Sequence, residues 1–253
     1  MNENVSVLDH GYVKFIESWG SDERIVEAAR MSTGRGFKGW GPLHTEQCVI
    51  ETAGLGLTTD RVCSCPPGDE KLLRFLYEHR HMTPFEMGGL IIEVQAPIFV
   101  FREWHRHRTQ SYNEMSARYE PLPDVNYVPS IKRLMVNAGG SNKQAGTVAD
   151  AAVLTQAAAE KFQANLMDGY HDAQLQYEHA LEVGVPKELA RVGLPVGRYS
   201  RMRASANLRN WLQFLTLRQD AAAQWEIRQY ANAVGGMIDA TFPRTWTLFV
   251  GRA

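Results

Sequence analysis

The stretch from Arg102 to Tyr119, which reads REWHRHRTQSYNEMSARY, places the strongest constraint on how this chain can fold. It contains four arginines, two histidines and two glutamates, with one tryptophan and two tyrosines among them. A solvated surface would carry few aromatic residues, and buried guanidinium groups need partners. A ligand with negative charges and flat rings satisfies both, because arginine forks match phosphate oxygens and planar groups stack on rings. The segment therefore favours a binding site over a purely structural ion-pair network.

The chain as a whole indicates an ordinary globular protein. Its 253 residues suffice for one large domain or two small ones with a sizeable core. The net charge of −1 gives no bulk attraction to nucleic acid, so any basic site must be local. No apolar run approaches the roughly 20 residues of a membrane span, and the N-terminus has no hydrophobic signal core. We therefore expect a cytoplasmic protein without membrane contact.

The periodicity of apolar residues predicts a mixture of strands and helices. Strands are predicted within 5–19 around a turn at 9–11, over 90–95 and over 198–205. Helices are predicted over 21–31, over 70–79, from 96 onward, over 147–181, 185–195 and 207–219, and as a last helix from 224 to about 240. The segments 33–69, 110–119 and 130–146 have no clear period and are predicted to be irregular.

Several histidines and cysteines invite a metal-site interpretation, but none forms a complete ligand set. The candidates are His44 with Cys48, Cys63 and Cys65, the His79-x-His81 pair, and the His171-Asp172 doublet. The first lacks a second cysteine pair, the second lacks a carboxylate at helical spacing, and the third lacks the further ligands of an HD phosphohydrolase. The odd number of cysteines also argues against a disulfide framework. We expect no metal.

A more specific pattern is Arg106-His107-Arg108 followed, after seven residues, by Ser116 within NEMSARY. This RHR-x7-S signature resembles the flavin-dependent thymidylate synthases, the ThyX family. The resemblance extends to AARMS around Ser32, HMTPFE from His81, PKELAR with LP, NLRNWLQFLTLR and AQWEI. These blocks occur in the family's order and cover about half of the chain.

The resemblance implies methylation of dUMP to dTMP, with 5,10-methylenetetrahydrofolate as the carbon donor and FAD reduced by NADPH as the hydride source. No enzyme nucleophile is implied, and no cysteine lies in the recognised blocks. The implied fold is α+β, with a mixed or antiparallel sheet and flanking helices. A single domain over 1–253, with 33–69 as an insertion-like segment, would assemble as a homotetramer whose sites draw on several subunits.

The resemblance also implies roles for individual residues. Residues implied for FAD are Ser32, Thr83, Arg106, His107, Arg108, Glu114, Asn207, Arg209 and Gln213. Residues implied for dUMP are Glu103, Arg106, Glu114, Ser116, Ala117, Arg118, Arg191 and Arg218, and His81 would lie near the flavin and folate. Arg218 would be catalytic, because a preorganised donor can stabilise charge developing on the N3/O2 side of uracil by about 3 kcal/mol. Gln213 and Ala117 depart from the asparagine and glycine that are common in the family, and Ala222 stands where some members have a histidine.

Two other classes of function remain open on the residues alone. A nucleic-acid-binding module could use the basic and aromatic segment, although the net charge of −1 and the absence of a long basic stripe weigh against it. A metal-dependent nucleotide hydrolase could use His79, His81 and the His171-Asp172 doublet. A colourless protein with salt-steep oligonucleotide affinity would favour the first, and loss of activity on chelation would favour the second.

The RHR triplet also makes a geometrical prediction. Successive residues of a helix point about 100° apart, so three adjacent side chains cannot face one ligand from its middle. We therefore expect Arg106, His107 and Arg108 at a helix end, from which the side chains radiate to different partners.

Overall fold

The computed structural model describes residues 4–41, 50–52, 61–63, 68–136 and 153–251, with the backbone alone for 50–52 and 61–63. The strands in these ranges are β1 (Val5–Val7), β2 (Gly11–Trp19), β3 (Ile50–Thr52), β4 (Arg61–Cys63), β5 (Gly89–Pro97), β6 (Ser111–Glu114) and β7 (Tyr199–Asn207). The helices are α1 (Asp22–Arg30), α2 (Asp69–Glu78), α3 (Ile98–Trp104), α4 (Ile131–Met135), α5 (Gln156–Glu182), α6 (Lys187–Ala190), α7 (Leu208–Arg218), α8 (Trp225–Thr241) and α9 (Pro243–Val250).

Five strands form one sheet in the order β1-β2-β5-β7-β6, and β3 and β4 form a separate antiparallel hairpin. The outer pairs β1–β2 and β6–β7 are antiparallel, with Val5 opposite Val13 and Ser111 opposite Ser205. Strand β7 alternates between exposed arginines and buried small or apolar residues, as a half-buried strand should. The predicted α+β class, with a mixed or antiparallel sheet and flanking helices, is confirmed.

The irregular structure predicted for 110–119 is wrong at its centre, where β6 spans Ser111–Glu114. All four residues of β6 are polar or half-buried, so the hydrophobic alternation that reveals a strand is absent. The strand forms because β7 supplies its hydrogen-bonding partner. Long-range pairing of this kind leaves no local signal in the sequence.

Three other boundaries differ from the prediction. The helix from 224 is not the last, because α9 follows it, with Pro243 at the first helical position where its missing N–H costs nothing. The segment 33–69 contains the β3–β4 hairpin, and the segment 130–146 begins with α4. Residues 137–146, and the start of the helix predicted from 147, lie outside the described residues.

The described chain forms two compact units. The first unit comprises residues 1–17, 91–206 and 213–235, and the second comprises 18–90, 207–212 and 236–253. The prediction of a single domain over 1–253 stays a prediction. Among the described residues, no helix combines the length and the apolar character that a membrane span requires.

In the second unit, the first residue of α1 caps the N-terminus of α9. Asp22 is only 3% exposed. Its carboxylate accepts hydrogen bonds from the backbone N–H groups of Arg244 (2.9 Å) and Thr245 (3.2 Å) and from the Thr245 hydroxyl (2.6 Å). Burial raises the pKa of Asp22, and these hydrogen bonds oppose that rise. The contact satisfies N–H groups that a helix start otherwise leaves without partners.

Replacing Asp22 with alanine should therefore lower the free energy of unfolding by about 2 kcal/mol, because buried donors at the start of α9 lose their acceptor. Urea denaturation of the parent and the variant measures this. Asp239→Ala is the matched control, because Asp239 is an exposed carboxylate of α8 in the same unit. An equal midpoint for the parent and Asp22→Ala would show that the cap contributes nothing.

Candidate active site

The last residue of α7, Arg218, is held by three hydrogen bonds within the first unit. Its Nε donates to Nε2 of His107 (2.8 Å), Nη1 donates to the Glu103 carboxylate (2.8 Å), and Nη2 donates to the Glu103 backbone oxygen (2.9 Å). These contacts occupy three of the five N–H bonds of a guanidinium group. The side chain is 15% exposed. Its plane is thus fixed from three sides while part of it faces solvent.

Arg218 borders an open cleft of about 810 Å³ in the same unit. The cleft is lined by Glu103, Thr216, Leu217, Arg218, Asp220, Ala222, Ala223 and Gln224. The carboxamide oxygen of Gln224 is buried and, among the described residues, accepts no hydrogen bond. The lining thus offers a cation and two carboxylates to a polar ligand.

His107 is 9% exposed and accepts the Arg218 hydrogen bond at Nε2. Burial and the Arg218 charge lower its pKa to about 4, and the Glu103 carboxylate only partly opposes this. The ring is therefore neutral near pH 7, with its proton on Nδ1 as the hydrogen bond requires. The Phe214 ring packs edge-on against it at 4.9 Å between centroids.

The RHR triplet follows the end of α3, which stops at Trp104 with His105 as its C-cap. Arg106 and Arg108 are exposed, whereas His107 between them is buried. The predicted placement of the triplet at a helix end is confirmed. The three side chains radiate because the chain has left the helix, so one turn presents two cations outward and one imidazole inward.

A second group of predicted dUMP residues meets around Glu188, at the start of α6. The Glu188 carboxylate lies 3.5 Å from Arg118 Nε, and its backbone oxygen accepts a hydrogen bond from Arg191 Nε (3.4 Å). The Ser116 hydroxyl accepts a hydrogen bond from the Arg118 backbone N–H (3.3 Å). The neighbouring Ala117 is buried. Two arginines and a hydroxyl are thus held in one region of the first unit.

The other predicted residues of the first unit are less constrained. Glu114 is half-buried on β6, opposite Met202 of β7. Gln213 is exposed on α7. Within the described part of the chain, no side-chain contact defines the role of Glu114 or Gln213, so their predicted ligand contacts stay predictions.

The second unit carries five further predicted residues. The Asn207 carboxamide oxygen accepts a hydrogen bond from the Asn210 N–H (3.0 Å), and Arg209 Nη1 forms an ion pair with Glu86. The Ser32 hydroxyl donates to the Ala29 carbonyl (3.0 Å). The remaining two predicted residues are the exposed His81 and Thr83. Each side chain lies at or near the surface of its own unit.

Sequence reasoning missed the residues that brace the RHR turn. Trp104 Nε1 donates to Gln110 Oε1 (3.0 Å), and the Tyr112 hydroxyl donates to the His107 carbonyl (2.7 Å). Trp104 also stacks on Phe214 at 4.7 Å. Burial raises the pKa of Tyr112, so its hydroxyl keeps its proton. Gln110, Tyr112 and Phe214 belong to recognised sequence blocks and Trp104 lies just before one, but nothing in their spacing shows that they meet.

The described part of the chain contains no group of three or more His, Cys, Asp or Glu residues placed to hold a metal ion. The His79 and His81 rings are 6.5 Å apart beside Phe75. Within the cysteine set considered for zinc, His44, Cys48 and Cys65 lie outside the described residues, as does the side chain of Cys63.

Comparison with known proteins identifies the family. A family model described as thymidylate synthase complementing protein matches residues 14–244. A flavin-dependent thymidylate synthase of Thermus thermophilus is 37% identical over 245 residues, which cover 97% of this chain and 77% of that protein. Those of Anaplasma marginale and Thermosipho africanus are 36% and 34% identical, and the matches cover 99% and 96% of this chain and 75% and 92% of the relatives.

Among solved structures, a UMP/dUMP methylase, PolB from Streptomyces cacaoi bound with 5-Br UMP, superposes with a TM-score of 0.73. It is 27% identical, and the match covers 98% of this chain and 96% of PolB. A second structure of PolB, bound with 5-Br dUMP, gives a TM-score of 0.72 at 28% identity. Sequence and structure thus agree, and the chain belongs to the flavin-dependent thymidylate synthase family.

Proposed function

We propose that this enzyme methylates dUMP to dTMP, with 5,10-methylenetetrahydrofolate as the carbon donor and FAD, reduced by NADPH, as the source of hydride. The names of its relatives and the nucleotides bound to PolB support the substrate class. The observation that carries the proposal within this chain is Arg218, a guanidinium group fixed in its plane at the edge of an open cleft.

Arg218 would activate the uracil by electrostatics. A guanidinium group that is already oriented needs no reorganisation when negative charge develops on the N3/O2 side of the ring. The described residues that line the cleft include no cysteine, and the proposed mechanism uses no enzyme nucleophile. FAD, when bound and reduced, would supply the hydride that completes the methyl group. The protein's part is to hold the reactants in register and exclude water.

The group around Glu188 suits the nucleotide phosphate. Arg118 and Arg191 supply cations and Ser116 a hydroxyl, which are the donors that phosphate oxygens attract. The Arg118–Glu188 pair is exposed, with 57% and 56% of the two side chains accessible, so it is weak enough to exchange for a phosphate. Glu103 would accept a hydrogen bond from a sugar hydroxyl with the oxygen that Arg218 does not use. The small side chain of Ala117 would let the backbone of this segment approach the nucleotide.

Each unit carries residues that suit FAD. In the first unit, Arg106 and Arg108 are exposed cations of the kind that a diphosphate needs, Gln213 offers an exposed amide and Glu114 an acceptor. In the second unit, Arg209 is an exposed cation, and Ser32, Thr83 and Asn207 offer hydroxyl and amide groups suited to the ribityl chain and ring edges. His81, exposed next to Phe75, offers a flat surface to the flavin or the folate.

We also propose that the chain assembles as a homotetramer. Helix α5 has 27 residues, and only Ala159 and Tyr177 are buried. Phe162, Met167 and Leu175 are each about half exposed on this helix. Exposed apolar side chains along such a length are typical of a surface that another copy covers. Sedimentation equilibrium measures the assembly, and a monomer at micromolar concentration would contradict it.

Spectroscopic titration tests the function directly. We expect the purified protein, alone or after addition of FAD, to show oxidised-flavin absorbance, and we expect dUMP to perturb that spectrum at saturable concentrations. A protein that stays colourless and binds no FAD contradicts the proposal. Salt-steep binding of oligonucleotides would favour a nucleic-acid module instead, and activity abolished by chelation without flavin would favour a metal-dependent hydrolase.

A further inference from the structure

We propose that His107 is a positioning residue: its imidazole fixes the guanidinium plane of Arg218 in the orientation that meets the uracil. This inference rests on the function proposed above and adds a residue to it. The resemblance of the RHR motif places His107 with the flavin residues. In the structure, however, the His107 ring turns inward to Arg218, while Arg106 and Arg108 remain exposed.

The geometry gives the imidazole a role that the two other contacts of Arg218 do not fill. Glu103 holds the two terminal nitrogens of the guanidinium, and rotation about the remaining side-chain torsions is restricted at Nε by His107. A guanidinium held at all three nitrogens has one plane available to it. A group that must meet a planar ring edge gains from this, because its orientation does not have to be established on binding.

Only a neutral imidazole can accept the hydrogen bond from Arg218. A protonated imidazole would present donors on both nitrogens and a positive charge beside another cation. Burial and the adjacent Arg218 charge hold the pKa of His107 at about 4, so the acceptor is present at neutral pH. The histidine therefore acts as a fixed acceptor.

The structure also shows what holds the imidazole. The Tyr112 hydroxyl and the Gln110 N–H both donate to the His107 carbonyl, at 2.7 and 3.2 Å. Phe214, four residues before Arg218 on α7, packs its ring against the imidazole. The His107 backbone is thus held within the RHR turn. The His107 ring packs against α7, the helix that also carries Arg218.

The test compares His107→Leu with His107→Gln. Leucine fills space beside Phe214 without an acceptor, whereas the glutamine carboxamide oxygen can take the place of Nε2. His105→Ala is the matched control, because His105 is also a histidine of this turn but contacts Phe101 and Tyr112 rather than Arg218. Each variant is measured for flavin content, for dUMP affinity in the flavin-loaded state, and for kcat and KM.

We expect His107→Leu to keep its flavin and to bind dUMP about tenfold more weakly, the effect of losing one orienting hydrogen bond. His107→Gln should recover to within about threefold of the parent, and His105→Ala should match the parent. Equal dUMP affinity in His107→Leu and the parent overturns the inference. Loss of flavin in both His107 variants also overturns the inference and would show that His107 binds the flavin.

Measurements on the parent protein distinguish a failure of this inference from a failure of the proposed function. If the parent binds dUMP and only the response to His107 substitution fails, the positioning role is wrong and the proposed function stands. If the flavin-loaded parent itself has no affinity for dUMP, the proposed function is wrong, and the positioning role falls with it. Should His107→Leu not fold, His107→Phe carries the same comparison, because it is likewise apolar and packs beside Phe214.

Discussion

Arg218→Ala is expected to keep the fold and the flavin and to lower single-turnover methylation of dUMP by at least about a hundredfold. The variant removes the guanidinium group that we propose stabilises charge on the uracil. Glu103, with 44% of its side chain exposed, is re-solvated at little cost once its partner is gone. The loss should therefore appear mainly in dUMP binding and chemistry.

Lysine at this position provides the finer comparison. Arg218→Lys keeps a positive charge but loses the planar fork that contacts His107 and Glu103 together, so we expect only partial recovery of dUMP affinity. Arg24→Ala is the control, because Arg24 is also paired with a glutamate but lies exposed on α1. An alanine variant with parental dUMP affinity and parental single-turnover rate would make Arg218 a structural residue and refute the activation mechanism.

The largest effect on stability is expected at Arg198, whose side chain is fully buried. Nη1 donates to the Pro123 carbonyl (2.9 Å) and to Asp124 (2.8 Å), and Nη2 donates to Gln174 Oε1 (2.7 Å). Arg198→Ala leaves these acceptors without their donor and opens a cavity, so the free energy of unfolding should fall by about 3–5 kcal/mol. Urea denaturation measures the loss.

A methionine variant separates the cavity from the lost hydrogen bonds. Arg198→Met fills much of the volume, and Asp124 is 51% exposed and can turn to water, so we expect a loss of only about 1–2 kcal/mol. Arg201→Ala, an exposed arginine of β7, is the control. If Arg198→Ala unfolds at the parental urea concentration, the buried network contributes nothing to stability.

Local pattern predicted much of this fold. Alternation predicted β7, and apolar faces predicted α2 and α7. Each of these signals depends on neighbours within one or two turns of chain. The polar strand β6 gave no such signal, because its partner β7 lies about 90 residues further along.

The candidate site likewise has one feature that local sequence predicts and others that depend on long-range contacts. The 100° rotation between helical neighbours was enough to place the RHR triplet at a helix end, and α3 does end at Trp104. The contact between His107 and Arg218 joins residues 111 positions apart, and it depends on where α7 lies in the fold. The motif alone could therefore not predict that the His107 ring turns inward or that it is neutral.

A single-turnover experiment without oxygen tests the central claim most directly. The enzyme-bound FAD is reduced beforehand, excess reductant is removed, and dUMP and 5,10-methylenetetrahydrofolate are added together. The transferred methylene needs one hydride to become a methyl group, so we predict one dTMP formed for each flavin oxidised, with both signals absent when dUMP is omitted. Formation of dTMP with the flavin still reduced, or oxidation of the flavin with no dTMP formed, would contradict the account.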